Sequence, residues 1–304
     1  MFMVRNKNCE IVVRQPGEIA GNQFIIEECE GCTIFLADYA DSMTVDLCKN
    51  CTIFLAGCQG SVFVRDCVDC RFVLVCQQFR SRDCKDCKID LYARTRPIIE
   101  SSSGMSFACY NGPSFEGHEH VMEQAGLDPF VNIWFVVHDF NEVGGEIHFT
   151  QTTREPIEIP TEAGLKLAEC PVPLTRGRAK DDMTYVIVPG DRADIARQIV
   201  RTYVSSTAFT SSVAAVCAGA ASNDQVAALV TKGGDGPRAH NDFFSAAMKA
   251  KRVIVIELEG SNAPFDFSDA VSRLDPPDAK VVLQVAGEAN SMVRMTWMAT
   301  LEQK

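Results

Sequence analysis

Four pairs of cysteines have a spacing that could bind a metal ion. Each pair reads Cys-x-x-Cys, and the pairs hold eight of the 14 cysteines: Cys29 and Cys32, Cys48 and Cys51, Cys67 and Cys70, and Cys84 and Cys87. Two isolated pairs of this kind can converge on one zinc ion in a zinc ribbon. Here all four pairs recur in one apolar register, which favours reduced cysteines in a core. Zinc stays open as an alternative, and disulfides are not expected in a reducing compartment.

A run of long polar side chains at residues 77–83 departs from the other repeats, which hold Ile25, Thr44 and Phe63 at the position of Arg80. If this segment is a strand with Phe79 pointing inward, then Gln78, Arg80 and Arg82 alternate onto its outer face. The sequence therefore predicts a row of three polar side chains on a rigid strand. The alternative is that these are ordinary solvated surface residues.

A carboxylate follows this run after a short interval. Glu100 lies within residues 94–103, and one further turn of chain would bring it beside the arginine strand. There it could hold the Arg80 guanidinium by two hydrogen bonds and preorganise it for use on a partner. The alternative is a surface ion pair that contributes less than about 1 kcal/mol.

The sequence repeats indicate which structural elements position these residues. The cysteine pairs begin at residues 29, 48, 67 and 84, so the repeats advance by 19, 19 and 17 residues. Apolar residues alternate on both sides of each pair, as at Phe24 and Ile26 and again at Ile34 and Leu36. Period two indicates strands, and self-similarity at this period indicates a solenoid of stacked coils. We therefore predict a right-handed parallel β-helix within a domain of residues 1–149, with a weaker capping coil at residues 5–13.

The second half of the chain has a different pattern. A stretch rich in Thr, Pro and Glu, followed by a basic run at residues 175–180, predicts a linker over residues 150–180. Predicted strands then alternate with predicted helices: strands at 185–188, 212–217, 252–258 and 280–285, and helices at 192–204, 223–231, 242–250 and 265–274. This alternation predicts an α/β ferredoxin-like domain over residues 181–304. His240 is expected in a polar loop, without a catalytic role.

Composition and charge argue against several classes of protein. Lys and Arg total 29 against 40 Asp and Glu, and the net charge of −11 argues against nucleic acid or an anionic membrane as the main partner. No stretch approaches the ~20 apolar residues that cross a bilayer, and residues 1–5 lack a signal-peptide pattern. We therefore expect a cytoplasmic protein without a transmembrane segment. We also expect no bound cofactor or metal.

Five ordered strings of residues resemble one known family, the tubulin-binding cofactor C domain. They are residues 21–29 (GNQFIIEEC), 44–51 (TVDLCKNC), 76–80 (CQQFR), 97–101 (PIIES) and 138–140 (HDF). Within the family, the chain is most similar to the retinitis pigmentosa type two branch. The resemblance covers about residues 20 to 140 and implies a β-helix, in agreement with the repeats.

The resemblance also implies roles for individual residues. Arg80 matches the arginine finger of the family, Gln78 the glutamine beside it, and Glu100 the carboxylate that orients the finger. Phe140 matches an aromatic residue at the partner contact, although residues 111–137 depart from the family pattern. We also expect Arg82 and Phe79 to take part in partner binding.

The function that the resemblance implies is GTPase activation. The expected partner is an Arf-like small GTPase in its GTP state, or tubulin, and the expected location is the cytoskeleton at the ciliary base or basal body. The protein would have no reaction of its own, and its second domain, although similar in outline to nucleoside-diphosphate kinase, would lack kinase activity. The alternative is a noncatalytic tubulin quality-control or basal-body scaffold protein.

Overall fold

The computed structural model divides the chain into two compact units, Met1–Pro173 and Leu174–Lys304. It describes residues 2–168, 183–205, 213–222, 237–259 and 283–285, together with residues 224 and 227. The strands of the first unit are β1 (Met3–Arg5), β2 (Ile11–Arg14), β3 (Phe24–Glu27), β4 (Thr33–Ala40), β5 (Met43–Asp46), β6 (Thr52–Arg65), β7 (Arg71–Arg82), β8 (Lys88–Ala93), β9 (Ile98–Glu100), β10 (Met105–Cys109), β11 (His138–Asp139) and β12 (Phe149–Thr152). Its helices are α1 (His118–Gln124) and a 3₁₀ turn (Thr161–Ala163).

Every strand pairing in this unit is parallel, and the strands form two columns. The first column runs β1, β3, β5, the end of β6, the end of β7, β9 and β11. The second column runs β2, β4, the start of β6, the start of β7, β8, β10 and β12. Because β6 and β7 belong to both columns, the two columns are walls of one coil. The predicted parallel β-helix is confirmed.

The inner core follows the predicted alternation. In the first column Phe24, Met43, Val62 and Phe79 lie directly across from one another, and all four are at most 1% exposed. In the second column the inward-facing residues are Ile34, Ile53, Phe72 and Ile89. Stacking equivalent apolar side chains at each strand spacing buries a continuous core that no single coil could form alone.

The cysteine pairs form the corner between the two columns. Each of the eight paired thiols donates to the backbone carbonyl oxygen two residues earlier, at distances from 3.1 to 3.4 Å. The residues that turn the chain have positive φ angles: Glu28, Gly31, Leu47, Asn50, Asp66, Asp69, Asp83 and Asp86. Gly, Asn and Asp tolerate this left-handed conformation best, which explains most of the choices. In the parts of the chain that the structure describes, no group of three or more His, Cys, Asp or Glu could hold a metal ion.

The outer surface of the second column is covered by other parts of the unit. Phe35 and Phe54 stack with ring centroids 4.2 Å apart, and helix α1 packs on this apolar surface through Val121 and Met122. A segment at residues 150–168, here called the strap, also packs on this surface through Ala163, which is buried, and Ile157, Ile159 and Leu165, which are partly buried. Together with Phe35, Phe54 and α1, these residues form a second buried cluster outside the coil.

The strap differs from the linker that the sequence predicts over residues 150–180. Strand β12 pairs in parallel with β10, and Ala163 is only 3% exposed. Arg154 anchors the strap because its Nη1 donates to the buried Asp90 carboxylate at 2.8 Å. Residues 150–168 are therefore packed structure within the first unit, and the rest of the predicted linker lies outside the described residues.

The described elements of the second unit are β13 (Met183–Pro189), α2 (Ala193–Ser205), β14 (Val213–Ala220), α3 (Pro237–Ala250), β15 (Arg252–Glu259) and β16 (Leu283–Val285). The four strands form an antiparallel sheet in the order β14-β15-β13-β16. His240 falls within α3 and not in a loop. The predicted helix at 265–274 lies outside the described residues, as does most of the one at 223–231. No helix in the described parts of the chain is long and apolar enough to cross a membrane.

Candidate functional site

Arg80 lies near the middle of the first column, on the outer face of β7. Its Cα pairs with that of Phe63 on β6 and that of Ile98 on β9. The side chain is exposed, and Phe79 and Ser81 on either side point into the core. Because strands on both sides pair with β7, the backbone that carries Arg80 is fixed by the β-helix. The predicted outward position of Arg80 on a rigid strand is thus present in the structure.

Glu100 lies opposite Arg82, one step along the strand from Arg80. The register of β7 and β9 pairs Arg80 with Ile98 and Arg82 with Glu100. Within the described residues, neither the Arg80 guanidinium nor the Glu100 carboxylate makes an ion pair within 4.0 Å. The predicted two-hydrogen-bond contact between Arg80 and Glu100 is therefore not made, because Ile98 occupies the position directly across from Arg80.

Arg82 is held by a neighbour in sequence. Its Nε donates to Asp83 Oδ2 at 3.1 Å, and both side chains are about half exposed. An exposed pair of this kind contributes little to stability. Arg82 shares the outer face with Arg80, but Asp83 pairs with it, so among the described residues Arg80 is the arginine of this face that is left without an ion pair.

Gln78 is the member of the predicted row with a fixed side chain. Its Oε1 accepts a hydrogen bond from Ser61 Oγ at 3.0 Å, and the two residues are paired across β6 and β7. The side chain is partly buried. The hydrogen bond leaves the amide NH₂ group of Gln78 as the donor beside Arg80.

The expectation that Phe79 takes part in partner binding is wrong. Its side chain is 0% exposed and packs edge-on against Phe107, with ring centroids 5.9 Å apart. Phe79 occupies the inward position of the repeat, so it supports the strand that carries Arg80 and cannot touch another protein.

Phe140 is exposed at the end of the first column. It is 59% exposed, and its ring meets that of His138 edge to face at 4.7 Å. Its backbone N–H donates to Ile99 O at 2.9 Å, which extends the pairing of β11 with β9. Arg80, Ile98 and His138 thus form one row across three strands, with Phe140 beside it.

Three residues that the sequence reasoning missed lie on the other side of Arg80. Arg65 binds Asp46 through Nε at 2.9 Å and through Nη2, and its guanidinium lies 5.4 Å from the Phe63 ring centroid. The hydrogen bond from Arg65 to Asp46 raises the pKa of Arg65. Asp46 and Arg65 are 19 residues apart, which is one repeat, so the repeat period was the signal that could have found them. The Arg65 guanidinium thus lies against Phe63, the residue paired with Arg80.

The family model for tubulin binding cofactor C matches residues 21–140. Protein XRP2 of Danio rerio is 41% identical over 213 residues, which is 62% of this chain and 55% of that protein. Protein XRP2 of Homo sapiens is 41% identical over 202 residues, covering 62% of this chain and 57% of the relative. The chain thus spans about half the length of these curated relatives.

More distant similarities concern tubulin chaperones. Tubulin-specific chaperone C of Homo sapiens is 30% identical over 136 residues, which is 45% of this chain and 39% of that protein. A solved structure, Tubulin Binding Cofactor C from Leishmania major, aligns with a TM-score of 0.36 at 21% identity, over 46% of this chain and 99% of the other. The resemblance seen in the sequence is confirmed by the family match: residues 21–140 of this chain match the family model for tubulin binding cofactor C.

Proposed function

We propose that this protein is a GTPase activator that supplies Arg80 as an arginine finger, in trans, to an Arf-like small GTPase. The observation that carries the proposal is the position of Arg80. Its side chain is exposed on a backbone fixed by paired strands on both sides, and it makes no ion pair among the described residues. A guanidinium that is not neutralised by its own protein is free to meet the anionic phosphates of a partner.

Arg80 would act electrostatically, by stabilising negative charge in the transition state. Phosphoryl transfer spreads negative charge over the bridging and γ-phosphate oxygens, and a guanidinium inserted from a partner stabilises that charge. Arginine fingers of this kind accelerate hydrolysis on the order of 10³ to 10⁵-fold. The protein would carry out no reaction of its own. Gln78, held by Ser61, would present its amide donor next to the finger.

Tubulin is a second candidate partner. The observation that favours it is similarity to proteins whose names refer to tubulin, including Tubulin-specific chaperone C. In this case the first column would bind a tubulin subunit. The protein would then either stimulate hydrolysis of the GTP on tubulin through Arg80 or serve as a noncatalytic scaffold. Only stimulation of hydrolysis requires the guanidinium of Arg80.

For the second unit we propose a ferredoxin-like fold without kinase activity. The strand order β14-β15-β13-β16, with antiparallel neighbours throughout, supports it. Counted along the chain among the described strands of the unit, the order across the sheet is second, third, first and fourth, which a ferredoxin-like sheet also has. We further propose that the protein acts in the cytoplasm at the ciliary base, which follows from the family resemblance alone.

The proposal is tested by single-turnover GTP hydrolysis on a purified Arf-like GTPase, with and without this protein. We expect a large acceleration that is lost in Arg80→Ala and in Arg80→Lys, because lysine lacks the planar fork. Complex formation should persist in both variants. Arg5→Ala is the matched control, since it removes an arginine from the first strand of the same column.

Two outcomes would contradict the proposal. Acceleration that survives in Arg80→Ala would exclude the finger. Binding of wild-type protein without any acceleration would exclude activation of that GTPase and favour a scaffold role. Repeating the assay with GTP-loaded tubulin would then separate the two candidate partners.

A further inference from the structure

Arg96 lies close to Arg80 in the structure and was not among the predicted site residues. It belongs to the segment that joins β8 to β9, and its side chain is exposed. Exposed arginines are ordinary on a protein surface. Two features distinguish Arg96 from them: an extra residue in this segment, and the position of Arg80 on the neighbouring strand.

The segment contains one residue more than the part of β7 beside it. Thr95 N donates to Gln77 O at 3.0 Å, so Thr95 lies level with the residue after Gln77. Ile98 is paired with Arg80. Three steps along the segment therefore span two steps along β7, which is a one-residue bulge. Bulges of this kind re-aim side chains and are frequent beside functional sites.

The bulge gives its two residues opposite directions. Pro97 is buried, and its carbonyl oxygen accepts a hydrogen bond from His138 N at 2.8 Å. Proline lacks a backbone N–H, so it suits a position where the ladder of hydrogen bonds is interrupted. Arg96 is exposed. The bulge thus turns the proline inward and the arginine outward, onto the face that carries Arg80.

Arg96 adds a second guanidinium group to the surroundings of Arg80. Diagonal neighbours on adjacent strands lie about 7 to 8 Å apart, which long side chains can span. The amide NH₂ group of Gln78 lies on the same face, because Ser61 Oγ holds the Oε1 of Gln78. Three groups of hydrogen-bond donors, two of them cationic, are therefore directed outward at this point.

The charges around Arg80 are unevenly placed. The carboxylates of Asp83 and Glu100 lie at the level of Arg82 and beyond it, whereas Arg96 lies on the other side of Arg80. Like charges at neighbouring positions repel, and an anion that lies against both arginines relieves this repulsion. Planar guanidinium groups suit phosphate oxygens in particular. On a GTPase, the phosphates of the bound nucleotide supply them.

We propose that Arg96 is a second phosphate-binding arginine of this surface, which acts beside Arg80 on the nucleotide of the partner GTPase. This inference rests on the proposed function. Arg80 stabilises the charge that develops during phosphoryl transfer. Arg96 binds γ-phosphate oxygens equally well before and during transfer, so it contributes affinity for the GTP state and not rate.

The test measures single-turnover hydrolysis as a function of protein concentration, with the full chain and a purified Arf-like GTPase. Arg96→Ala should raise the concentration that gives half of the maximal acceleration by about tenfold, because a hydrogen bond to a charged group is lost. The rate at saturation should stay within about twofold of wild type. Arg96→Lys should recover part of the loss, since the charge remains without the planar fork.

Arg94→Ala is the matched control. Arg94 lies two residues before Arg96, and its Nη1 donates to Gly126 O at 3.3 Å. Its removal deletes the same charge from the same segment. We expect it to leave both the half-maximal concentration and the rate at saturation unchanged.

The nucleotide state identifies the anion that Arg96 binds. Binding is measured with the GTPase loaded with a nonhydrolysable GTP analogue and, separately, with GDP. Arg96→Ala should weaken binding to the first form about tenfold and to the second by less than about twofold, because GDP lacks the γ-phosphate. An equal loss for both forms would show that Arg96 meets a carboxylate of the GTPase, and would overturn the proposal.

Charge reversal at the same position tests whether the two arginines are close enough to share one anion. The carboxylate introduced by Arg96→Glu would pair with the Arg80 guanidinium. The rate at saturation, which Arg96→Ala leaves intact, should therefore fall by about tenfold or more. A rate equal to that of Arg96→Ala would contradict shared binding.

The outcomes separate the inference from the proposed function. If wild type accelerates hydrolysis through Arg80 but Arg96→Ala leaves the half-maximal concentration unchanged, the role of Arg96 is overturned and the finger stands. If wild type gives no acceleration but Arg96→Ala weakens binding to the GTP-analogue form alone, the finger is overturned and Arg96 stands as a phosphate-binding residue. Equal effects of Arg94→Ala would also overturn the proposal, since loss of any positive charge in the segment would then suffice.

Discussion

The two columns of the β-helix share their inner surface but differ on the outside. Both point apolar residues into the same core. On the second column, Phe35, Phe54 and Val73 also point outward and are fully buried under α1 and the strap. On the first column, the equivalent outer rows carry Arg80 and Arg82, which are exposed. Both columns contribute an inner face to one core, whereas their outer faces differ: one is buried under other parts of the unit and the other is exposed.

The two columns also differ in the burial of their ion pairs. On the covered side, Asp90 is 1% exposed and binds both Arg71 and Arg154. On the open side, Arg82 and Asp83 pair in a half-exposed position. A buried pair costs stability when one partner is lost, whereas an exposed pair is worth little. On the second column, the buried ion pairs of Asp90 hold the strap in place. On the first column, the charged side chains are exposed and can be reached by a partner.

The largest effect on stability is expected at Asp90. Asp90→Ala should lower the free energy of unfolding of the β-helix unit by about 3 to 5 kcal/mol, because it leaves two guanidinium groups partly buried without their carboxylate. Arg82→Ala on the open column should change it by less than about 0.5 kcal/mol. Urea denaturation of both variants measures the contrast. Similar losses in the two variants would contradict the distinction between the columns.

A pH effect of intermediate size is expected on the covered side. His118 is fully buried against Phe115, its Nε2 contacts Ala56 O at 2.9 Å, and burial lowers its pKa to about 4. Between pH 6.5 and 4 the unfolded chain binds a proton that the folded chain does not. Stability should therefore fall as pH drops through this window, by up to about 3 kcal/mol.

His118→Gln checks this pH effect, because the amide can still donate to Ala56 O but does not titrate. Denaturation between pH 7 and pH 4.5 should show a shallower loss of stability in the variant than in wild type. An unchanged slope would show that other groups cause the pH dependence.

The smallest effect on stability is expected at Ser81, whose side chain points inward from β7. Ser81 lies among inward-facing apolar residues, and its Oγ is buried without a hydrogen-bond partner among the described residues. Ser81→Ala should raise the free energy of unfolding by about 1 kcal/mol, since a buried hydroxyl without a partner is destabilising. Ser102→Ala is the control. Ser102 Oγ accepts from Cys84 N at 3.1 Å, so its removal should destabilise by about the same amount. Thermal unfolding that moves both midpoints in one direction would reject the explanation.

Much of the first unit could be predicted from the sequence because its signals are local and repeated. The cysteine pairs fix the corner, and the alternation around Phe24 and Ile26 fixes the inner face. The outward position of Arg80 follows from the same alternation. The inward position of Phe79 follows too, and it is incompatible with the partner-binding role that was expected for this residue.

What the sequence did not predict depends on register and long-range contact. Whether Glu100 faces Arg80 or Arg82 depends on a shift of two residues between β7 and β9, which no local pattern specifies. The sequence predicts a linker where the strap lies, because the anchors of the strap are distant in sequence. Arg154 and Asp90 are 64 residues apart, and single polar residues in a Thr- and Pro-rich stretch give no sign of such a partner.

The most direct test of the account measures activity and stability on the same preparation of Arg80→Ala. Single-turnover GTP hydrolysis by an Arf-like GTPase should lose nearly all of its acceleration, while the free energy of unfolding changes by less than about 0.5 kcal/mol. This result would establish that the open column carries a functional residue that the fold does not need. Full acceleration by the variant would contradict the account.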